Sequence, residues 1–376
     1  VLIQQSIATG SLVQQGGLIQ AVDSAQVILR DTLFSDNTAN VGGCVSARGE
    51  ARLAVSNCSF HTNKAVEAGG ALFIADQAVA VINDSRFNDN WTHKTGGAVS
   101  VNNSATVSIL NSRFLGNRGV KAGSDGDFVQ GGALFASGTA KVTITSTFFY
   151  SNSLDGKSWS GGGAVCGTDN STIILTGCDF LSNVAHDRAG AVHAGNFSHI
   201  ELHKCNFTGN KVTGPNAVGA AVDGLVNAMY IIVGSHFQGN INENDNGGAI
   251  SLNHNATMTV HSTYFISNKA RAGPVSYTSD NTTLNMSDCV FMSNEAEQWG
   301  GAVFAEGNAS SVQISSTTCK YNTAGATGGC LLAQGNCKVL IQNSILEENT
   351  APSGGVLLLQ NSVQVSLDNV TIAQNR

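Results

Sequence analysis

The sequence predicts an all-β protein, a right-handed parallel β-helix (a solenoid) of about 13 coils with three short strands in each. Three observations carry this prediction. A two-part motif returns about every 28 residues, apolar residues alternate ahead of one half of it, and the composition is rich in glycine (43) but poor in proline (3) and charge (12%). A repeat of fixed period builds one continuous core, because each unit buries its apolar face only against its neighbours. Residues 1–376 are therefore read as a single β-helix repeat domain.

The unit is clearest between Ala51 and Asn90. Phe60-His61-Thr62-Asn63 is followed by Gly69-Gly70-Ala71-Leu72, and Phe87-Asn88-Asp89-Asn90 by Gly96-Gly97-Ala98-Val99. Seven and five residues before each Phe stand apolar residues, as in Leu53/Val55, Val107/Ile109 and Ile200/Leu202, which is the spacing of a strand with one face buried. A second strand follows the glycines, and its aliphatic position runs through Val45, Leu72, Val99, Leu134 and Val165.

The Phe column contains Phe34, Phe60, Phe87, Phe114, Phe149, Phe180, Phe207, Phe237, Phe265 and Phe291 before it passes to Cys319, Leu346 and Ile372. Three residues on stand Asn37, Asn63, Asn90, Asn117, Asn152, Asn183, Asn210, Asn240, Asn268 and Asn294. Stacked coil on coil, the rings are expected to fill the interior and the amides to hydrogen-bond along the axis where the chain turns. Glycine pairs permit that turn. At about 4.8 Å per coil the expected rod is roughly 60 Å long.

Long spacings mark insertions at Gly119–Gln130, Ser153–Ser160, Lys211–Ala217 and Ile241–Asn246, all between the Asn and the glycines. One corner thus carries every long loop, a usual place for partner contacts.

The net charge of −7 gives no basic stripe, so nucleic acid is not an expected partner. No apolar run is long enough to span a bilayer as a helix. Nine cysteines leave at least one outside any intramolecular pairing. Cys178 with Cys205, in neighbouring coils, and Cys330 with Cys337, across a turn, are the candidate disulfides.

The pairing of Gly-Gly-Ala-(Ile/Leu/Val) with Phe-x-x-Asn, spelled by Gly131-Gly132-Ala133-Leu134, Gly247-Gly248-Ala249-Ile250 and Gly300-Gly301-Ala302-Val303 among others, resembles the repeats of the polymorphic outer membrane protein (Pmp) family. Similar repeats occur in large surface proteins of some eukaryotic microbes. The resemblance covers nearly the whole chain and implies a surface-adhesive or structural role. Neither end reads as capped, and a fragment of a longer array is expected.

Parallel β-helices also carry polysaccharide lyases, epimerases and hydrolases, which need clustered acids on one outward face. Among the outward residues after the glycines, taken as Ser46, Phe73, Ser100, Phe135, Cys166, His193, Asp223, Ser251, Ser276, Phe304, Leu332 and Leu358, there is one carboxylate. No catalytic residue, cofactor or metal site is therefore expected. Asp125 and Asp127 form a minor calcium candidate, and His199, Glu201 and His203 share a face but are too spread along one strand to hold one zinc ion. Outward Phe73, Phe135, Phe304, Leu332 and Leu358 are expected to form a contact face.

Twelve Asn-x-Ser/Thr sequons are present, and those at Asn102, Asn170, Asn196, Asn255, Asn281 and Asn308 all fall in the turn after the glycine-led strand, where glycans could project. Asn90 also heads a sequon but belongs to the internal ladder, where no glycan fits. The expected function is a non-catalytic, N-glycosylated extracellular rod, structural or adhesive, of a cell surface, wall or appendage. Its expected partners are other surface or matrix proteins, glycans or further copies of itself. The alternative is a carbohydrate-active β-helix enzyme: a polysaccharide lyase, epimerase or hydrolase.

Overall fold

The computed structural model describes residues 1–13, 16–121, 128–155 and 161–376. It is an all-β parallel solenoid of about 13 coils. A typical coil runs through Arg52–Ser56, Ser59–His61, Lys64–Ala68 and Leu72–Ile74, which belong to a first, second, third and fourth sheet. Equivalent strands pair in parallel and in register, so that Ala80 lies between Leu53 and Val107, and Phe87 between Phe60 and Phe114. The third sheet extends the three-strand expectation to four. Its residues alternate less regularly, and Trp91–Thr92 contributes only two residues.

The chain divides into two compact units. Unit 1 comprises Val1–His186, Gly190–His193 and Phe197–Ile200; unit 2 comprises Asp187–Ala189, Ala194–Asn196 and Glu201–Arg376.

In unit 1 the rings of Phe34, Phe60, Phe87, Phe114, Phe149 and Phe180 are buried and stacked, with centroids 4.6–5.1 Å apart. Each buried ring contributes about 1.5–3 kcal/mol of transfer free energy. Two residues past each Phe the backbone enters the left-handed region, at Thr62 (φ 51°), Asp89 (φ 54°) and Ser151 (φ 50°). Such a turn is unfavourable for a side-chain-bearing residue and takes the next N–H away from the strand ladder. The Asn that follows repairs this. Asn90 Oδ1 accepts from Asn63 N at 3.0 Å and from Asn63 Nδ2 at 2.9 Å, while Asn90 Nδ2 donates to Phe60 O and to Asn117 Oδ1, both at 3.0 Å.

A second polar column stands at the turn before each Phe strand. Cys58 N donates to Ser85 Oγ at 3.2 Å, Ser85 N to Ser112 Oγ at 3.2 Å and Ser112 N to Thr147 Oγ1 at 3.3 Å. The paired glycines differ in role. Gly69 takes φ 64°, whereas a Cβ on Gly70 would sit 2.0 Å from Gly97 O on the next coil.

Unit 2 repeats this interior. Phe207, Phe237 and Phe265 stack at 4.6 and 4.9 Å, and Phe291 turns edge-on to Phe265 at 74°. Cys319 follows in the ring column and is bonded to Cys330. The amide ladder continues through Asn210, Asn240, Asn268, Asn294, Asn322 and Asn349 to Asn375.

Two expectations are corrected. The disulfide is Cys319–Cys330, not Cys330–Cys337, because Cys319 and Cys330 face one another across the interior with Cα atoms 6.5 Å apart. Cys337 is a thiol directed at Gln334 O. Cys178 and Cys205 are also thiols, directed at the carbonyls of Thr176 and His203 two residues back, as the hydroxyls of that column are. Nor is there an open contact face: Phe73, Phe135, Phe304 and Leu332 are buried and Leu358 is partly so. The ends of third-sheet strands fold over them. Val41 and Ala68 cover Phe73, and Val218, Ala272 and Trp299 pack with Phe304, Leu332 and Leu358.

Asn117→Ala should lower stability by about 2–4 kcal/mol, since it leaves the N–H and Nδ2 of Asn90 without their buried acceptor. Urea unfolding checks this; a midpoint within error of the parent would show that the ladder is dispensable.

Candidate active site

In unit 2 three columns converge on the outward side of the fourth sheet. Pairing of Asn246 with Ala272 and of Ala272 with Trp299 sets Asp245, Arg271 and Gln298, one residue earlier, on successive coils of the third sheet. Register places Tyr277 between Ser251 and Phe304 on the fourth sheet. Glu306 follows the strand Val303–Ala305 of that sheet, and Gln334 ends the strand Leu331–Gln334 on the next coil.

Tyr277 had not been placed in this column from sequence, because Val275 was taken for the aliphatic slot and Ser276 for the outward one. In the fold Gly273-Pro274 stands where other coils have Gly-Gly, so that Ser276 pairs with Ile250 and Tyr277 with Ser251. Aligning Pro274 with the second glycine would have found it.

The Tyr277 hydroxyl donates to Glu306 Oε1 at 2.6 Å, and Gln334 Nε2 donates to Glu306 Oε2 at 2.7 Å. With both oxygens engaged, the Glu306 carboxyl is held in place. Burial, then the bond to Glu306, pushes the Tyr277 phenol well above its ordinary range, so the tyrosine remains a donor. Arg271 Nε donates to Gln298 Oε1 at 3.2 Å, and its guanidinium lies 5.1 Å from the centre of the Trp299 ring. Trp299 and Tyr277 both pack on Phe304, at 6.2 and 5.6 Å between ring centres.

Asp245 differs from Glu306. Its half-buried carboxyl is raised above the ordinary carboxylate range, first by burial and further by Glu306, against the opposing pull of Arg271. The Asp245 carboxyl accepts a backbone hydrogen bond from Asn246, which like Arg271 opposes that rise, whereas the Nη atoms of Arg271 have no hydrogen-bond partner among the described residues. The site thus offers a carboxyl of raised proton affinity and a two-pronged cation held by an indole.

The one carboxylate expected on the outward strand, Asp223, is also here but enclosed. It is wholly buried, accepts from Ser251 Oγ at Oδ1, and pairs with Arg188 Nη1 at 3.2 Å through Oδ2. Sequence reasoning missed Asp245, Arg271 and Glu306 because it counted acids on the fourth strand alone, and these lie in the columns flanking it.

The remaining candidates are dispersed. His203 Nε2 lies 2.8 Å from Glu201 Oε2, and among the described residues no three metal-ligating side chains cluster. Asp125 and Asp127 lie outside the described residues. Asn170, Asn196, Asn255, Asn281 and Asn308 are exposed, whereas Asn102 is half-buried, donating to Ser100 Oγ at 3.2 Å and accepting from Ser137 Oγ at 2.9 Å.

Comparison with known proteins gives the fold independent support. The family model for the right-handed beta helix region matches residues 1–149. No curated protein matches the chain. Among solved structures the chain is similar to the periplasmic alginate epimerase AlgG, at 10% identity and a TM-score of 0.49, over 96% of this chain and 76% of that one. The expectation of no catalytic role is corrected on the geometry of unit 2: the acid count behind it left out the columns flanking the fourth strand, where Asp245 and Glu306 stand.

Because the folded Asp245 carboxyl holds its proton more tightly than an unfolded one, the native state binds more protons, and stability falls as pH rises from the ordinary carboxylate range through the raised value. Asp245→Asn should therefore raise the thermal midpoint of unit 2 at pH 7, with the gain vanishing near pH 3, where both states are protonated. A gain that persists at low pH would show that Asp245 is not strained by its charge.

Proposed function

We propose that the protein is a carbohydrate-active β-helix that acts on an acidic polysaccharide at the Asp245–Arg271 site of unit 2. The observation that carries this reading is the Arg271 guanidinium, held by Gln298 and Trp299 with its Nη atoms unpartnered, beside the Asp245 carboxyl of raised proton affinity. Arg271 would pair with the carboxylate of a uronic sugar in bidentate fashion. Neutralising that carboxylate acidifies the C–H next to it. Asp245, as the carboxylate, would take this proton, and the electron pair left on carbon would be stabilised by the sugar carboxylate that Arg271 holds. Glu306, with both oxygens engaged, would hold Tyr277 in place and leave proton transfer to Asp245.

A second observation supports an extracytoplasmic or cell-surface place for the protein: the exposed sequon asparagines at Asn170, Asn196, Asn255, Asn281 and Asn308 share one turn of the repeat. The likeness of the Gly-Gly-Ala and Phe-x-x-Asn repeats to the polymorphic outer membrane proteins agrees with it. Glycopeptide mapping of the native protein is expected to find glycans at these five positions and none on the ladder residue Asn90; bare asparagines throughout would remove this support.

For the activity, the chain would be incubated with polygalacturonate and polymannuronate in deuterated water, following unsaturated product and deuterium at the sugar carbon. Exchange or elimination is expected on at least one polymer. Arg271→Ala should weaken binding about tenfold or more, consistent with loss of a charge-assisted pair, while Asp245→Asn should bind but not exchange. A native chain that neither binds nor alters either polymer would refute the proposal.

A further inference from the structure

A different face, in unit 1, carries a second set of groups that the Asp245–Arg271 site does not use. On the outward side of the second sheet Arg113, Phe148 and Asp179 lie in register on three successive coils. Two residues after Phe148, and on the same face, stands Tyr150, 43% exposed. The two rings are 6.0 Å apart between centres and inclined by only 16°, so they stack on one another, and the pair forms an aromatic shelf on this face. Beside the shelf a depression of about 500 Å³ is lined by Asn111, Ser112, Arg113, Ser146, Phe148 and Asp179. The guanidinium of Arg113 is exposed and has no hydrogen-bond or ion-pair partner among the described residues.

We infer that this shelf is a binding subsite for a neutral glycan chain. A pyranose ring presents an apolar C–H face and a rim of hydroxyls. An exposed ring of the Phe148–Tyr150 pair can take the face, and Arg113, Asp179, Asn111 and the serines supply donors and acceptors at the rim. The two charges of the site, one of each sign, cancel. Asp179 would oppose an acidic sugar, which sets this subsite apart from the Asp245–Arg271 site. A peptide strand is disfavoured because the strand Phe148–Tyr150 is paired on both sides, with Arg113–Leu115 and Asp179–Leu181, and leaves no backbone edge to extend. The subsite stands on its own geometry and does not depend on the reaction proposed for unit 2.

The test is calorimetric titration of the full chain with cellohexaose and with chitohexaose, using a hexagalacturonate as the acidic control. At least one neutral hexasaccharide should bind the native chain. Phe148→Ser should raise its Kd about tenfold, in keeping with loss of one stacking platform, and Arg113→Ala should weaken it severalfold. Arg271→Ala should leave neutral-glycan binding unchanged while impairing capture of the acidic control, so failure of one site is distinguishable from failure of the other. A thermal melt shows whether Phe148→Ser is folded; if it is not, Arg113→Ala decides alone. Absence of neutral-glycan binding by the native chain, or undiminished binding by the folded variants, would overturn the inference.

Discussion

Every coil must turn out of its Phe strand through a left-handed residue, and the side-chain amide of the next Asn makes that turn tolerable. Thr62, Asp89 and Ser151 each adopt positive φ without being glycine. The amide of Asn63, Asn90 or Asn152 then supplies the acceptor that the turned backbone on the neighbouring coil lacks. Because one Oδ1 serves both the N–H and the Nδ2 of its neighbour, the bond tolerates little sliding between coils. The rings beside it inherit that spacing, and their stacking distances in unit 1 stay within 4.6–5.1 Å although the lengths of the intervening loops differ.

Fixed register turns the surface into columns. A side chain's neighbours are decided by its place in the repeat, so chemistry can be altered one coil at a time without disturbing the interior. The outward column of the fourth sheet shows the range. It holds Phe73 under Val41 and Ala68, an enclosed ion pair at Asp223, and Tyr277 bonded to Glu306. The third sheet is the variable partner in each case, because its strands follow the insertions and their ends supply the cover.

How much of this was legible in the sequence follows from how many residue types each slot accepts. The ring and amide slots accept few: a wholly buried aromatic and an amide that must both donate and accept, so Phe60 and Asn63 announce themselves on every coil. The third strand accepts many, since only positions such as Ala65, Thr92 and Ala185 are buried there, and it stayed invisible. Cys319 and Cys330 were placed correctly in their columns but not joined, because the repeat gives register along the axis and not which columns face each other across the interior. The Asp245–Arg271 site failed to show for a related reason. Asp245, Arg271 and Glu306 are far apart in sequence and occupy different columns, and the alternation that locates a strand carries no information about the turns beside it.

The contrast between Asp223 and Asp245 explains why only one of the two acids is suited to chemistry. Both lie along the same covered face of unit 2. Asp223 is sealed, with a hydroxyl on one oxygen and a guanidinium on the other, so its role is structural. Asp245 is half-buried and bonded to the backbone of Asn246, near enough to Glu306 for repulsion to add to the cost of burial and near enough to Arg271 for that cost to be partly relieved. A carboxyl balanced in this way can gain or lose its proton without dismantling its surroundings. It sits beside a cation that the fold has oriented with Gln298 and Trp299 but not neutralised. Stability favours satisfied groups, so a carboxyl of raised proton affinity near a guanidinium that is not neutralised, on a rigid register, is where a ligand would gain most by binding.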